Sequence, residues 1–407
     1  MKKILKNIII ALLIAIFSSL STLVVIYYAL GFNQQGFFNL MRFITAYRFI
    51  EMKYVNDTSD VDLIDGAIDG MVKSLNDPHS NYLSPKMYQN LMEQTQGSFA
   101  GIGVIMGMDN EKNIHIVGVL ENSPGLKAGL QVGDQITAVD GTSVTQMAFD
   151  EVAAHVRGEP GTNVVITIVR DGAQQDFTIT RDNIKLKTVD HEMLENNIGY
   201  IQIASFSEDT AQEFKDAYTN LQNQGMKSLV IDLRNNPGGL LTSCVEIAKN
   251  LVPQGDIVSI VDKDGNKEVY TSDLAQTPYP MAVLINNNSA SASEILAGAM
   301  QDTHAGTIIG TTSYGKGSVQ TILPMMDDDA VKLTIAKYYT PSGRSIDGVG
   351  ITPDIEVQLD ENSPVDTQLN KAKEILNAVT TQWKKAITFE KTHLLSLLFF
   401  YLFFICG

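Results

Sequence analysis

From Ile198 onward the chain alternates between short apolar runs and amphipathic stretches, and this alternation limits its fold more than any other feature. Ile198–Ile203, Leu229–Leu233 and Met281–Ile285 read as buried strands. A helix follows each. Ser207 is expected to cap a helix ending at Gly225. A Pro237-Gly238-Gly239 turn leads to a helix through Val252, and a third helix opens near Ser291. Strand–helix alternation of this kind builds an α/β domain with functional groups at the strand ends. Thr307–Gly310 and Val331–Ala336 extend the core, and residues 365–380 read as helical.

The preceding sequence has a different texture. From about Phe99, short alternating runs with turn signals predict strands at Gly103–Met106, Ile114–Val119, Gln135–Val139, Val164–Arg170 and Asp176–Thr180, with a helix at Gln146–Val156. Residues 37–95 read as helical. Ile64, Ala67, Ile68, Met71, Val72 and Leu75 fall on one helix face, and Asn76-Asp77-Pro78 stops it.

Lys2, Lys3 and Lys6 precede an uncharged run from Ile8 to Leu30. A bilayer-spanning helix needs about 20 residues, and the basic flank predicts the N-terminus inside and the remainder outside. Cleaved signals usually have an apolar stretch of only about 7–15 residues. The run is therefore expected to be an uncleaved signal-anchor, with Ala29-Leu30-Gly31 as a weak alternative cleavage site. The expected location is membrane-anchored and single-pass, with the bulk of the chain extracytoplasmic. Leu394–Cys406 is apolar apart from Ser396 but short for a span. It reads equally as a membrane-surface segment, a packed segment or a sequence artefact.

The expected fold class is thus an α/β core (with α+β elements) carrying an inserted β-rich domain, an N-terminal helical region and an N-terminal transmembrane helix. The boundaries are a flank and anchor over 1–31, helices over 32–95, the β-rich domain over 96–183 and the core over 184–362. A helical segment over 363–391 and an apolar tail over 392–407 complete the chain.

Composition removes several function classes. A formal net charge of -16 gives no electrostatic reason to bind nucleic acid. Cys244 and Cys406 make no disulfide framework or C-x-x-C pair. Six histidines without an H-E-x-x-H motif disfavour zinc peptidase chemistry. No metal or cofactor is implied.

Three segments carry chemistry. Asn288-Ser289-Ala290-Ser291-Ala292-Ser293-Glu294 follows a strand and opens a helix, whose N-terminal N–H groups can stabilise an oxyanion. Three serines occur there, so this segment alone does not name a nucleophile, and a simple N-cap run is the competing reading. Ser313-Tyr314-Gly315-Lys316-Gly317-Ser318-Val319-Gln320 holds a lysine between glycines. As a general base its amine must be neutral. Free lysine has a pKa near about 10.4, and burial can lower it by about 3–5 units. A lysine so placed activates serine without histidine or aspartate. Gln320 either orients that amine or is an ordinary strand residue. Asp232-Leu233-Arg234-Asn235-Asn236-Pro237-Gly238-Gly239-Leu240 exposes backbone N–H groups at a strand end.

In the β-rich domain, Phe99-Ala100-Gly101-Ile102-Gly103-Val104 offers a backbone nest for a terminal carboxylate, followed by a strand able to pair with a peptide. Ser123–Leu130, Val132-Gly133-Asp134-Gln135-Ile136 and Val139-Asp140-Gly141 follow, and the order resembles a PDZ domain. That resemblance places peptide contacts at Gly101, Ile102 and Gly103 and implies substrates with apolar C-terminal tails. Arg157 either senses substrate or is a solvated charge.

Taken together, residues 45–380 resemble the carboxyl-terminal processing peptidases, a family of tail-specific serine peptidases. Gly66-Ala67-Ile68 through Asp77-Pro78-His79-Ser80-Asn81-Tyr82-Leu83 is similar to that family's N-terminal region, whereas residues 381–407 match nothing in it. The resemblance implies a serine endopeptidase with Ser291 as nucleophile, Lys316 as base and Gln320 in support. It also implies backbone oxyanion donors at Gly238 and Ala292, with Gly239 a nearby alternative, and a secondary role for Asp302. By resemblance alone, the N-terminal helices are expected to support a homodimer.

Three rivals compete. A Ser–His–Asp peptidase would use His304 and Asp302. A phosphate-binding loop would read Gly310–Lys316, although Gly317 stands where a magnesium-holding Ser or Thr belongs. A catalytically silent PDZ scaffold of the envelope would be expected to have lost Ser291 or Lys316, and both are present.

Overall fold

A computed structural model describes residues 10, 12–19, 21–22, 24, 34–109, 111–145, 147–359 and 364–379. Residues 8–9, 11, 20, 23 and 25–30 of the expected anchor, and all of the tail over 392–407, lie outside these residues. Among the described residues no helix is long and apolar enough to cross a membrane. The chain divides into two units, residues 1–82 and 83–407.

The first unit contains helices α1 (Gln34–Lys53) and α2 (Asp60–Lys73). Ser59 caps α2 by accepting the Asp62 N–H, and Asp60 and Asp62 sit in its first turn, where the helix dipole favours acids. The expected apolar face of α2 is only partly covered. Val72 is buried, whereas Ile64, Met71 and Leu75 are exposed. Phe38, Phe49 and Met52 of α1 are exposed as well.

The second unit opens with α3 (Pro85–Gln96), which Gly97 ends in a left-handed conformation. Strand β1 (Ser98–Gly101) leads into the β-rich domain, and β7 (Asp182–Lys185) leads out of it. The two pair antiparallel, from Ser98↔Lys185 to Gly101↔Asp182. Entry and exit therefore lie side by side, as an inserted domain requires. Between them, β2 (Val104–Met108), β3 (Ile114–Val119), β4 (Gln135–Val139), β5 (Asn163–Arg170) and β6 (Ala173–Thr180) form an antiparallel sheet in that order. Helices α4 (Pro124–Ala128) and α5 (Phe149–Val156) accompany it. Val164, Ile166 and Ile168 occupy alternate positions of β5, so all three point into one core with Ile136, Val152 and Ile179.

In the α/β core, β8 (Val189–Leu194), β9 (Ile198–Ile203), α6 (Thr210–Asn223), β10 (Ser228–Asp232) and α7 (Leu241–Ala248) come first. The hairpin β11 (Gly255–Asp262) and β12 (Lys267–Ser272) follows, then β13 (Met281–Ile285), α8 (Ala292–Asp302) and β14 (Thr307–Gly310). Strands β15 (Ser318–Pro324), β16 (Ala330–Tyr339) and β17 (Ile355–Glu356) complete the set. A helix over residues 367–379, here α9, follows. The central sheet has the order β8-β9-β10-β13-β14-β17; its first pair is antiparallel and the rest are parallel. Both faces are covered. Leu229, Ile231, Val283 and Ile285 face α6, α7 and α8, while Val230, Ala282 and Leu284 pack with Ala372 and Leu376 of α9. Burial on both faces explains why these strands are continuous apolar runs rather than alternating ones.

Three local expectations change. The helix after Ile203 begins at Thr210 with Asp209 at its N-cap, not at Ser207. The Thr210 hydroxyl accepts the Ser207 N–H at 2.8 Å and closes that turn ahead of the helix. The next helix ends at Ala248 rather than Val252. Hairpin β11–β12 fills a stretch the sequence reading left unassigned, and it closes through Asp262, whose carboxylate accepts the N–H groups of Asp264 and Asn266.

Candidate active site

The turn after β10 is built around Asn236, which is fully buried. Its amide donates to the Ile203 carbonyl at 2.8 Å, and its side-chain oxygen accepts the Gly238 N–H at 2.8 Å. Its own carbonyl accepts the Ala290 N–H and the Ser293 hydroxyl, each at 3.0 Å. This single residue ties the Pro-Gly-Gly turn to the turn that precedes α8. The approach is close: a Cβ on Gly238, at φ +100, would lie 2.7 Å from the Ala290 carbonyl oxygen and 2.8 Å from the Ser291 Cβ.

The three serines of this segment have different environments. Ser289 donates to the Leu233 carbonyl at 2.8 Å and Ser293 to that of Asn236, and both are fully buried. Ser291 caps α8 at φ 55 and ψ -115, a backbone conformation that costs a non-glycine residue about 1–3 kcal/mol. Alone of the three, it lines a cleft of about 420 Å³. Its backbone N–H donates to Glu294 Oε2 at 2.8 Å.

Glu294 is fully buried and also organises the lysine loop. Its Oε1 accepts the Ser313 hydroxyl and the Gly315 N–H, each at 2.6 Å, and its Oε2 accepts the Lys316 N–H at 2.9 Å. A buried carboxylate supplied with four donors satisfies the demand that buried charge be fully hydrogen-bonded. Gly317 allows the loop to lie against the 347 turn, since a Cβ there would sit 2.5 Å from the Asp347 nitrogen. The structure thereby brings Ser291, Ala292, Lys316 and Gln320 to one cleft, together with Gly239 and Tyr338. Ile260, Ile295, Val319 and Ile322 give the cleft apolar walls.

Gln320 follows a bulge in the β15–β16 pair, and its amide donates to Ser318 at 2.8 Å and Thr334 at 3.3 Å. The Gly238 N–H is held by Asn236 in this arrangement and is not presented to the cleft. The Tyr338 hydroxyl is held protonated well above the ordinary tyrosine range by burial, and then by the nearby Glu294 carboxylate. Sequence reading missed Asn236, Glu294 and Tyr338 as site residues. A signal existed for Glu294, since an acid three residues after an N-cap serine is the capping-box pattern.

Asp302 and His304 belong elsewhere. They line a separate cavity of about 670 Å³ that includes neither Ser291 nor Lys316. Asp302 is ion-paired with Arg344 and accepts the Ser342 N–H. Helix α8 separates the two places by about 16 Å at its rise per residue. The expected Ser–His–Asp alternative is therefore corrected: His304 lies past the wrong end of α8. The phosphate-loop reading also fails, because a strand and not a helix follows Gly317.

In the β-rich domain, Gly101 pairs with Asp182, Ile102 is a core side chain, and Gly103 sits at φ +73 against Ser123. The Ile102 carbonyl accepts the Gly125 N–H at 2.7 Å. Arg157 is not merely solvated. It pairs with Glu93 of α3 at 3.0 Å and lies over the Phe99 ring at 5.7 Å.

Peptidase family S41 matches residues 197–357, a PDZ domain matches 115–170, and the N-terminal domain of the activating protease CtpB matches 31–86. The chain is 40% identical over 336 residues to a carboxy-terminal-processing protease of Bartonella bacilliformis, covering 80% of this chain and 76% of that protein. It is 40% identical over 317 residues to the carboxy-terminal processing protease CtpA of Bacillus subtilis, covering 77% and 68%. A solved photosystem II D1 C-terminal processing protease is similar at 29% identity and a TM-score of 0.46, covering 78% of this chain and 92% of that one. The chain belongs to peptidase family S41, among its PDZ-containing carboxy-terminal-processing serine proteases.

Proposed function

We propose that Ser291 and Lys316 form the catalytic dyad of an endopeptidase that shortens C-terminal tails. The observation that carries this reading is the shared attachment of both residues to Glu294, with both residues lining one cleft. Lys316 Nζ takes the Ser291 Oγ proton as Oγ bonds to the scissile carbonyl carbon. The resulting oxyanion is held by backbone N–H groups at the start of α8, Ala292 first, with Gly239 beside it. Gly238 joins them only if it releases Asn236. The C–N bond then breaks as the lysine ammonium protonates the leaving amine. A water, deprotonated by the now neutral lysine, attacks the ester. The Oγ–C bond breaks, and Oγ recovers a proton from the lysine. Gln320 supports the lysine loop from β15.

On the same reading, the PDZ domain captures apolar C-terminal tails through the Gly101-Ile102-Gly103 segment, with Arg157 placed between that domain and α3. The basic flank and uncharged run over residues 2–30 support a single-pass anchor with the peptidase extracytoplasmic. The exposed apolar side chains of α1 and α2 support a homodimer. Cleavage of a peptide with an unstructured apolar C-terminus tests the dyad. Ser291→Ala and Lys316→Ala are expected to abolish turnover, and His304→Ala to retain it. An active Lys316→Ala variant would contradict the proposal.

A further inference from the structure

The cleft that holds Ser291 carries a charge that the reaction does not use. The chain as a whole has a formal net charge of -16. Yet among the described residues no carboxylate lines this cleft, and two lysines do, Lys316 and Lys332. Lys316 must be neutral to act as base, so Lys332 supplies the standing positive charge. Its placement follows from strand register. Ile322 stands opposite Lys332, and Gln320 opposite Thr334, across β15 and β16. Residues two apart on a strand share a face, and so do residues directly opposite one another. Lys332 therefore projects from the same face as Gln320 and Ile322, the face that lines the cleft. It is half-buried there. On the same strand Lys337 is spent on Asp347 at 2.9 Å, whereas Lys332 has no ion pair among the described residues.

We propose that Lys332 is a specificity-determining residue, which recognises a carboxylate on the substrate about four residues from the scissile bond. The assignment rests on this cleft being the peptidase site described above. The distance comes from β15, which enters the cleft at Ser318, just past the lysine loop, and reaches Ile322 after about 13 Å of extended chain. A substrate extended along the cleft covers that length in about four residues. Ile260, Ile295, Val319 and Ile322 offer apolar walls to its uncharged side chains. The same walls lower the local dielectric, so a single charge discriminates more there than on open surface. A substrate lysine or arginine at that position is repelled, so the preference works by exclusion as well as by attraction. The carboxylate can come from an aspartate or glutamate side chain or from the end of the chain. Tail capture by the PDZ domain and charge reading by Lys332 act at different points of one substrate, and the second sets where a captured chain is cut.

The test uses peptides with an apolar C-terminal tail and one glutamate, moved stepwise along both sides of the cleaved bond. Matched peptides carry alanine or lysine in its place. At one position glutamate should raise kcat/KM over alanine by about fivefold, with the gain in KM, and added salt should shrink it. Lys332→Ala should bring that ratio to about one and Lys332→Arg should keep it. Lys332→Glu should reverse it in favour of the lysine peptide. Each ratio is internal to one variant, so a loss of folded protein cancels. Peptides ending at that position with a free or an amidated C-terminus separate a chain-end carboxylate from a side chain. A wild-type ratio within about twofold of one at every position overturns the inference. So does a preference that survives both Lys332→Ala and Lys332→Glu. If Ser291→Ala is inactive on every peptide and the ratio ignores Lys332, only the Lys332 assignment fails. If Ser291→Ala still cleaves, the dyad itself fails.

Discussion

Ser291 and Lys316 donate their backbone N–H groups to the same oxygen, Glu294 Oε2, at 2.8 and 2.9 Å. Two loops from different strand ends are thus registered by one buried carboxylate. The separation of serine from lysine is set by that acceptor rather than by either loop alone.

Glu294→Gln tests this registration, because the amide replaces one acceptor oxygen with a donor. It should lower kcat/KM by about a hundredfold through misplacement of the two loops. Urea denaturation should show a loss of about 2–4 kcal/mol. Normal turnover in this variant would show that the loops keep their register without the carboxylate.

Gly317→Ala addresses the other wall of the lysine loop. The added Cβ meets the Asp347 backbone at 2.5 Å, so backbone and not a flexible side chain must move. Activity should fall by about tenfold or more, with a stability loss of about 1–3 kcal/mol. Peptide cleavage and thermal melting of the same preparation separate the two effects.

The PDZ domain should show its own acid sensitivity. Asp134 is buried and receives two bonds of 2.6 Å from Arg170 and the Gln131 N–H at 2.8 Å. Burial pushes its pKa up, but these bonds outweigh burial and hold it below the usual carboxylate value. A depressed folded pKa gives stability that is present above the unfolded pKa of about 4 and lost as pH falls through the folded value. Asp134→Asn should remove that acid-side step and destabilise the domain at neutral pH by about 2–4 kcal/mol. Hydrogen exchange of β4 and β5 as a function of pH is the readout.

Arg157→Ala breaks the ion pair with Glu93 between the PDZ helix and α3. Because Arg157 is substantially exposed, the change in global stability should be under about 1 kcal/mol. If the contact links the two parts functionally, turnover of tail peptides will change more than stability does, and kinetics alongside melting will show it.

The buried strands of the core were legible because parallel strands covered on both faces carry continuous apolar runs, as at Leu229–Ile231 and Met281–Ile285. The PDZ strands were legible from alternation, as at Val164, Ile166 and Ile168. Hairpin β11–β12 was overlooked although Asp264-Gly265 between two alternating runs is a turn signal. The start of α6 was misplaced because Ser207 and Asp209 are both acceptable caps, and only the Thr210 hydroxyl decides between them. Ser291 could be separated from Ser289 and Ser293 only by resemblance, whereas the fold separates them by which hydroxyls are spent on Leu233 and Asn236. The occupied Gly238 N–H was not legible at all, since it depends on a side chain two residues away turning back on its own loop.

The rate of covalent modification of Ser291 by a fluorophosphonate, located by peptide mapping in wild type and in Lys316→Ala, tests the dyad most directly. The expected result is modification at Ser291, slowed by about a hundredfold or more without the lysine. Modification at another residue, or equal rates in the two proteins, would contradict it.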